Sequence, residues 1–200
     1  MNNSDTITGS GRSILYINAS VRAGSRTDAL SRYLLEKLGG SYDEIRLCET
    51  AMPVLDEAFL TMRDKAVMSG VFDSDVFSPA KKFAEVDEIV ISAPYYDLSF
   101  PAALKQFFEQ INVIGLTFAY GSDGMTVGLC KAKRLFYVTT SGGPMISDEY
   151  GFGYVKALSS YFYKIGECVC FKAEGLDIIG ADTGAILSDT RKQIDGYFGI

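Results

Sequence analysis

The residues of this 200-residue chain with chemical potential fall in three short clusters. The first is Asn18-Ala-Ser-Val-Arg-Ala-Gly-Ser-Arg-Thr27. It combines the hydroxyls of Ser20, Ser25 and Thr27 with Arg22, Arg26 and Gly24, just ahead of a helical pattern. A helix N-terminus offers free N–H groups and the positive end of the helix dipole, a setting that favours a phosphate. Neither a GxGxxG run nor a Walker lysine motif is present. The second cluster, Pro94-Tyr-Tyr-Asp-Leu-Ser-Phe100, carries two tyrosines, with Asp97 as its only charge. That composition suits a flat aromatic group better than a phosphate. The third, Thr140-Ser-Gly-Gly-Pro144, places two glycines where backbone can approach a ligand closely or turn with positive φ. Each cluster alone also admits a plainer reading: a helix cap with solvated arginines, aromatic packing at an edge, and a simple turn.

Other chemistry is excluded by what the chain lacks. It contains no histidine, so Ser-His-Asp and Cys-His catalysis, imidazole zinc sites and a histidine general base are all ruled out. The four cysteines are Cys48, Cys130, Cys168 and Cys170. Cys168 and Cys170 share one face of a strand pattern but do not form a CxxC pair, so they read as reduced, buried core residues. No catalytic side chain and no metal site are expected. The formal net charge of −6 disfavours nucleic acid and anionic membranes. No apolar run approaches the roughly 18 residues of a membrane span. The polar start, residues 1–13, lacks the apolar segment of a signal peptide. A cytoplasmic protein follows, with residues 1–12 as a disordered arm and 13–200 as a single domain. The 48% hydrophobic content, 12 tyrosines and 13 phenylalanines suffice for a substantial core.

The elements that would position the clusters alternate between strand and helix. Ser13–Asn18 is a short strand. Leu30, Leu34, Leu35 and Leu38 form a helical stripe that stops at Gly39-Gly40. Asp43–Leu47 is a weaker strand, and Phe59–Met68 reads as a helix. Ser78-Pro79 reads as an N-cap and first-turn proline opening a helix over Ala80–Val86. Glu88–Ala93 is apolar almost throughout, as a strand covered on both faces should be. After Pro101, Leu104, Phe107, Phe108 and Ile111 mark a packed helix face. Leu116–Lys131 reads as a hairpin around Gly121-Ser-Asp-Gly124. Then follow a strand at Arg134–Thr140, a helix at Tyr154–Ile165 closed by Gly166, a strand at Glu167–Ala173 and a helix at Thr183–Tyr197. Five strands alternating with helices predict an α/β fold of three layers, flavodoxin-like, with a parallel sheet of order 2-1-3-4-5. In that order strands one, three and four are central neighbours, so the three clusters converge on one crevice at the switch point. A phosphate at one end and a flat heterocycle at the other describe a mononucleotide.

The same residues carry a resemblance. Ala93-Pro-Tyr-Tyr-Asp-Leu followed by Leu104-Lys-Gln-Phe-Phe, with Met52-Pro-Val-Leu-Asp56, Gly115-Leu-Thr-Phe-Ala-Tyr120, Thr140-Ser-Gly-Gly143 and Ala173-Glu-Gly175, resembles the FMN-dependent NADH-azoreductase and quinone-reductase family. The resemblance implies bound FMN, with NADH or NADPH as cosubstrate. It implies that positions Ser20, Ser25, Arg26 and Thr27 hold the phosphate and ribityl, that Pro94, Tyr95, Tyr96, Asp97 and Leu98 support the isoalloxazine, and that Thr140, Ser141, Gly142 and Gly143 meet its other edge. It implies a homodimer with the flavin near the interface, and two-electron transfer to a quinone or aromatic azo acceptor in a ping-pong cycle, with Tyr95, Tyr96 and Tyr120 as candidate substrate contacts. The family often has Asn where Asp97 stands and Arg where Ser141 stands. A flavodoxin-like electron carrier and a non-redox nucleotide-binding module remain as alternatives.

Overall fold

The computed structural model describes residues 12–200; the expected N-terminal arm, apart from Arg12, lies outside the described residues. The strands of the main sheet are β1 (Ser13–Asn18), β2 (Ser41–Arg46), β3 (Glu88–Ser92), β6 (Arg134–Thr140) and β7 (Glu167–Ala173). All are parallel, in the order β2-β1-β3-β6-β7, which is the expected 2-1-3-4-5 order with the excursion strands set aside. The excursion is an antiparallel hairpin, β4 (Phe118–Tyr120) and β5 (Thr126–Gly128).

Alternating strand residues explain the layering. Leu15, Ile17, Ile89, Ile91, Leu135 and Tyr137 point to one face. There they pack with Phe83 of α3 (Ser78–Glu85), Leu104, Phe107, Phe108 and Ile111 of α4 (Ala102–Ile111), and Val155 of α5 (Phe152–Leu158). Ile14, Tyr16, Val90, Phe136, Val138 and Phe171 point to the other face. They meet the leucine stripe of α1 (Arg26–Leu38) and Ile194 of α6 (Thr183–Phe198). All five residues of β3 are buried, which accounts for the near-continuous apolar run read there. The remaining helix, α2 (Glu57–Ser69), begins at Asp56, whose side chain accepts from the Phe59 N–H at 2.8 Å. Among the described residues no helix is long and apolar enough to cross a membrane.

Three local expectations need correction. Ser78 does not cap a helix: a 3₁₀ turn at Asp75–Phe77 runs straight into α3, so Ser78 is its first residue and makes no capping hydrogen bond. The helix around Tyr154 does not run on to Gly166. It widens into a π-helical turn at Ser159–Tyr163 and stops at Lys164, which takes φ 56°. The wider turn buries Tyr163, whose hydroxyl donates to Asn112 Oδ1 at 2.6 Å. Finally, the cysteines are unpaired, as expected, but not all are buried: Cys48 is exposed and the other three are half-buried.

Candidate functional site

The register of the sheet brings three loops to one edge. Asn18 at the end of β1 pairs with Ser92 at the end of β3, and Ser92 pairs with Val138; β6 runs two residues further, to Thr140. Backbone hydrogen bonds continue past the strands. Ala19 N–H donates to Ser92, Tyr95 N–H to Thr140 and Ser141 N–H to Ala173. The crevice therefore opens between β1 and β3, where the chain turns to opposite sides of the sheet, the usual place for a ligand in such folds.

The 19–25 loop lines one end with hydroxyls. Ser25 is the N-cap of α1 and its Oγ accepts from Asp28 N–H at 3.3 Å, leaving the N–H groups of Arg26 and Thr27 without intrahelical acceptors. Ser25 Oγ donates to Ser20 Oγ at 3.1 Å, Ser20 Oγ lies 3.3 Å from Ser92 Oγ, and Thr27 Oγ1 lies 2.7 Å from Thr140 Oγ1. The hydroxyls expected from two of the clusters thus meet directly. Gly24 turns at φ 70°, with open space where a Cβ would point. Arg22 is exposed. Arg26 leans across the crevice to Leu176 O at 3.1 Å and Asp177 Oδ1 at 2.8 Å.

A network beneath this loop holds it in place. Asn18 is fully buried; its Oδ1 accepts from Ser20 N–H, and its Nδ2 donates to Asp28 Oδ1 and Glu44 Oε1. Tyr16 Oη donates to Asp28 Oδ1 at 2.6 Å. Burial and that carboxylate together push the Tyr16 hydroxyl well above its ordinary range, so it remains a donor. Arg32 closes the network by bridging Asp28 and Glu44.

The 93–101 loop forms the aromatic wall. Tyr96 and Ser99 exchange backbone hydrogen bonds at 2.8 Å around a two-residue turn in which Asp97 has φ 50° and Leu98 φ 69°. Two positive φ values define a type I′ turn, where Asp or Asn is tolerated and Leu is strained. A conformational preference thus accounts for an Asp at position 97. Ser99 Oγ donates to Tyr150 O, tying the turn to the 141–151 loop. Tyr96 and Leu98 are exposed, whereas Tyr95 turns its ring inward. The Tyr95 hydroxyl is buried without a hydrogen-bond partner, as is Thr139 Oγ1. Both residues line a cavity of about 10 Å³ shared with Tyr137 and Cys170. Burial raises the Cys170 thiol to about 12, so it stays protonated and offers no nucleophile at neutral pH.

The 141–151 loop closes the far side. Its first residues are stitched to the segment after β7: Leu176 N–H donates to Ser141 O, Asp177 N–H to Gly142 O and Gly175 N–H to Gly143 O. A Cβ on Gly142 would overlap the Asp177 carboxylate, whereas one on Gly143 would meet nothing within 4 Å. Gly142 thus serves close packing and Gly143 borders open space. Ser141 donates its hydroxyl to Gly143 O. Tyr120 is not brought to these loops. It stands exposed on the hairpin, which packs on the turn at Ser159–Tyr163, where Phe118 meets Phe162.

A family model described as the flavodoxin-like fold matches residues 12–175. The chain is 34% identical over 192 residues to FMN-dependent NADH:quinone oxidoreductase 2 of Clostridium acetobutylicum, covering 90% of this chain and 94% of that protein. The chain belongs to the flavodoxin-like family of FMN-dependent NADH:quinone oxidoreductases. A crystal structure of an azoreductase from Bacillus anthracis superposes on this flavodoxin-like chain with a TM-score of 0.78 at 20% identity, covering 94% of this chain and 98% of that one. An FMN-dependent NADH-azoreductase from the same species, solved in complex with FMN, gives 0.76 at 21% identity, covering 94% and 97%. At that identity the superpositions speak for the fold. The sequence relationship carries the family.

Asn18 heads the first cluster in the sequence, but its anchoring role is visible only in the fold. Ser92 and Asp177 carry no signal in the sequence, because their significance lies in partners 72 and 151 residues away.

Proposed function

We propose that this chain is an FMN-dependent oxidoreductase that passes two electrons from NADH to quinones or aromatic azo compounds. One observation carries the reading: a hydroxyl-lined helix N-terminus, an aromatic turn whose only charge is Asp97 and a glycine strand end meet at the switch point of the sheet, in a chain of this family. The residues fit FMN. The unsatisfied N–H groups at the start of α1, with Ser20, Ser25, Thr27 and Arg26, suit the phosphate and ribityl. The strained turn at Pro94–Leu98 offers a flat seat for the ring, and the open space at Gly143 admits its other edge beside Thr140, Ser141 and Gly142. When bound, FMN supplies the two-electron exchange that no side chain of this histidine-free protein provides.

The protein's own part is positioning. Ser25 orders the first turn of α1, the Asn18–Asp28–Glu44 network fixes the loop before it, and exposed Tyr96 and Leu98 present an apolar lip to an aromatic acceptor. Tyr96 and Tyr120 have exposed rings, while the buried Tyr95 hydroxyl braces the turn from beneath. Donor and acceptor occupy the same crevice in turn. Residues 13–200 act as one flavin-binding domain, and the protein works as a cytoplasmic homodimer with no nucleic-acid or membrane partner. The exposed Tyr120, Met125, Val127 and Leu129 of the hairpin, with Ile114 and Tyr161 nearby, support a second copy as the partner.

The test is spectroscopic. Purified protein should be yellow and release FMN on denaturation, and anaerobic NADH should bleach it within seconds. Bleaching by dithionite alone would make it an electron carrier, and colourless protein that cannot be reconstituted would reject flavin binding. Initial rates with a quinone should give parallel double-reciprocal lines; intersecting lines would mean that both substrates bind together.

A further inference from the structure

The Arg26–Asp177 pair lies across the end of the crevice that suits a phosphate. Arg26 is the first residue of α1, so its guanidinium begins beside the N–H groups that suit a phosphate. It is turned away from them, to Leu176 O at 3.1 Å and Asp177 Oδ1 at 2.8 Å. Asp177 is itself fixed. Its N–H donates to Gly142 O, and its carboxylate fills the space that any side chain at position 142 would take. The acceptor is therefore built in, while the ion pair it makes is weak, because the two side chains are 39% and 67% exposed.

We propose that Asp177 is a specificity-determining residue that competes with the flavin phosphate for Arg26 and so sets how tightly FMN is held relative to flavins without phosphate. This rests on the reading that FMN occupies the crevice. A phosphate monoester carries close to two negative charges at neutral pH and three acceptor oxygens, against one charge on Asp177. It can draw the guanidinium over, but the bound state then loses the ion pair and leaves Asp177 beside an anion. Both effects oppose FMN, and neither acts on riboflavin, which has no phosphate.

The experiment titrates apo-protein with FMN and with riboflavin, following flavin fluorescence, for wild type, Asp177→Asn, Arg26→Ala and the double variant. An exposed pair of this kind corresponds to about a two- to fivefold change in affinity. Asp177→Asn should tighten FMN by that factor and leave riboflavin unchanged, and in the Arg26→Ala background the same substitution should have a smaller effect, since only the repulsion between carboxylate and phosphate then remains. A variant that merely loosened the 174–182 segment would shift both flavins together, so an unchanged FMN-to-riboflavin ratio overturns the proposal. Weaker FMN binding in Asp177→Asn also overturns it, since Asp177 would then be aiming Arg26 at the phosphate. Should wild-type protein bind neither flavin, the functional reading falls, and this proposal with it. Should it bind both with equal affinity in every variant, only the present proposal fails.

Discussion

The two ends of the same five strands are built on opposite principles. At the amino end, charged groups pair with each other. Ser13 donates its N–H and its hydroxyl to Asp87 at 2.8 and 2.9 Å, and buried Glu88 takes the guanidinium of Arg134, with Arg12 at 3.6 Å. At the carboxyl end neutral hydroxyls bond to each other beside N–H groups at a helix start and a turn with two non-glycine residues at positive φ, while the charged pairs there, Arg26–Asp177 and Arg32 with Asp28 and Glu44, lie around them. Removing water from a charge is costly unless a partner is present, so Glu88 and Asp87 are held by Arg134, Arg12 and Ser13, although one oxygen of the Glu88 carboxylate stays without a partner. A hydroxyl cluster and unsatisfied N–H groups keep hydrogen-bonding capacity to offer a ligand. One end holds the strands in register, and the other holds strain and donors in reserve.

Substitutions at the two ends should therefore separate stability from flavin binding. The largest effect is expected for Arg134→Ala, which leaves the buried Glu88 carboxylate without its main partner. Chemical denaturation should show a loss of about 3 kcal/mol, with FMN affinity of the remaining folded protein unchanged. A drop in FMN affinity would mean that the two ends are coupled through β6. Next comes Thr140→Val, which strands the buried Thr27 hydroxyl. It should cost about 1–2 kcal/mol of stability and also weaken FMN about tenfold, the signature of a carboxyl-end residue serving both purposes. Leu98→Gly should reverse the usual sign. A residue other than glycine at this φ costs about 1–2 kcal/mol, partly offset by the glycine's larger entropy loss on folding. Thermal melts should show a gain of up to about 1 kcal/mol, together with weaker FMN binding if the strained turn is the ring's seat.

The smallest effect concerns pH. The Ser13 N–H and hydroxyl hold the Asp87 carboxyl below its ordinary value. A carboxyl lowered in the folded state contributes stability that is complete above its unfolded pKa and is lost as pH falls through the folded one. Asp87→Asn should therefore flatten the acid limb of the stability curve below the ordinary carboxylate range, with no change at pH 7 in that slope. An identical acid limb would remove Asp87 from the account.

The chain's own residues announced most of this. Unbroken apolar runs of three or four residues marked β1, β3 and β6, because a strand covered on both faces needs no polar alternation. The leucine stripe of α1 and the Leu104–Ile111 stripe of α4 announced helices facing a sheet, and the three loops stood out by composition. Boundaries were less legible where a tertiary demand overrode local preference. The burial of Tyr163 widened its helix into a π turn and moved the stop from Gly166 to Lys164. The 3₁₀ turn at Asp75–Phe77 took the start of α3 away from Ser78.

What the sequence determined by itself was the type of most elements, the absence of histidine chemistry, and the composition of three loops, since these are read from the residues and their near neighbours. Only the tertiary structure decided which hydroxyls touch, that Asn18 anchors the first loop, that the Tyr95 hydroxyl is buried, and that Arg26 pairs with Asp177. Those outcomes depend on strand register and on contacts between residues as many as 151 positions apart, and no local spacing encodes them.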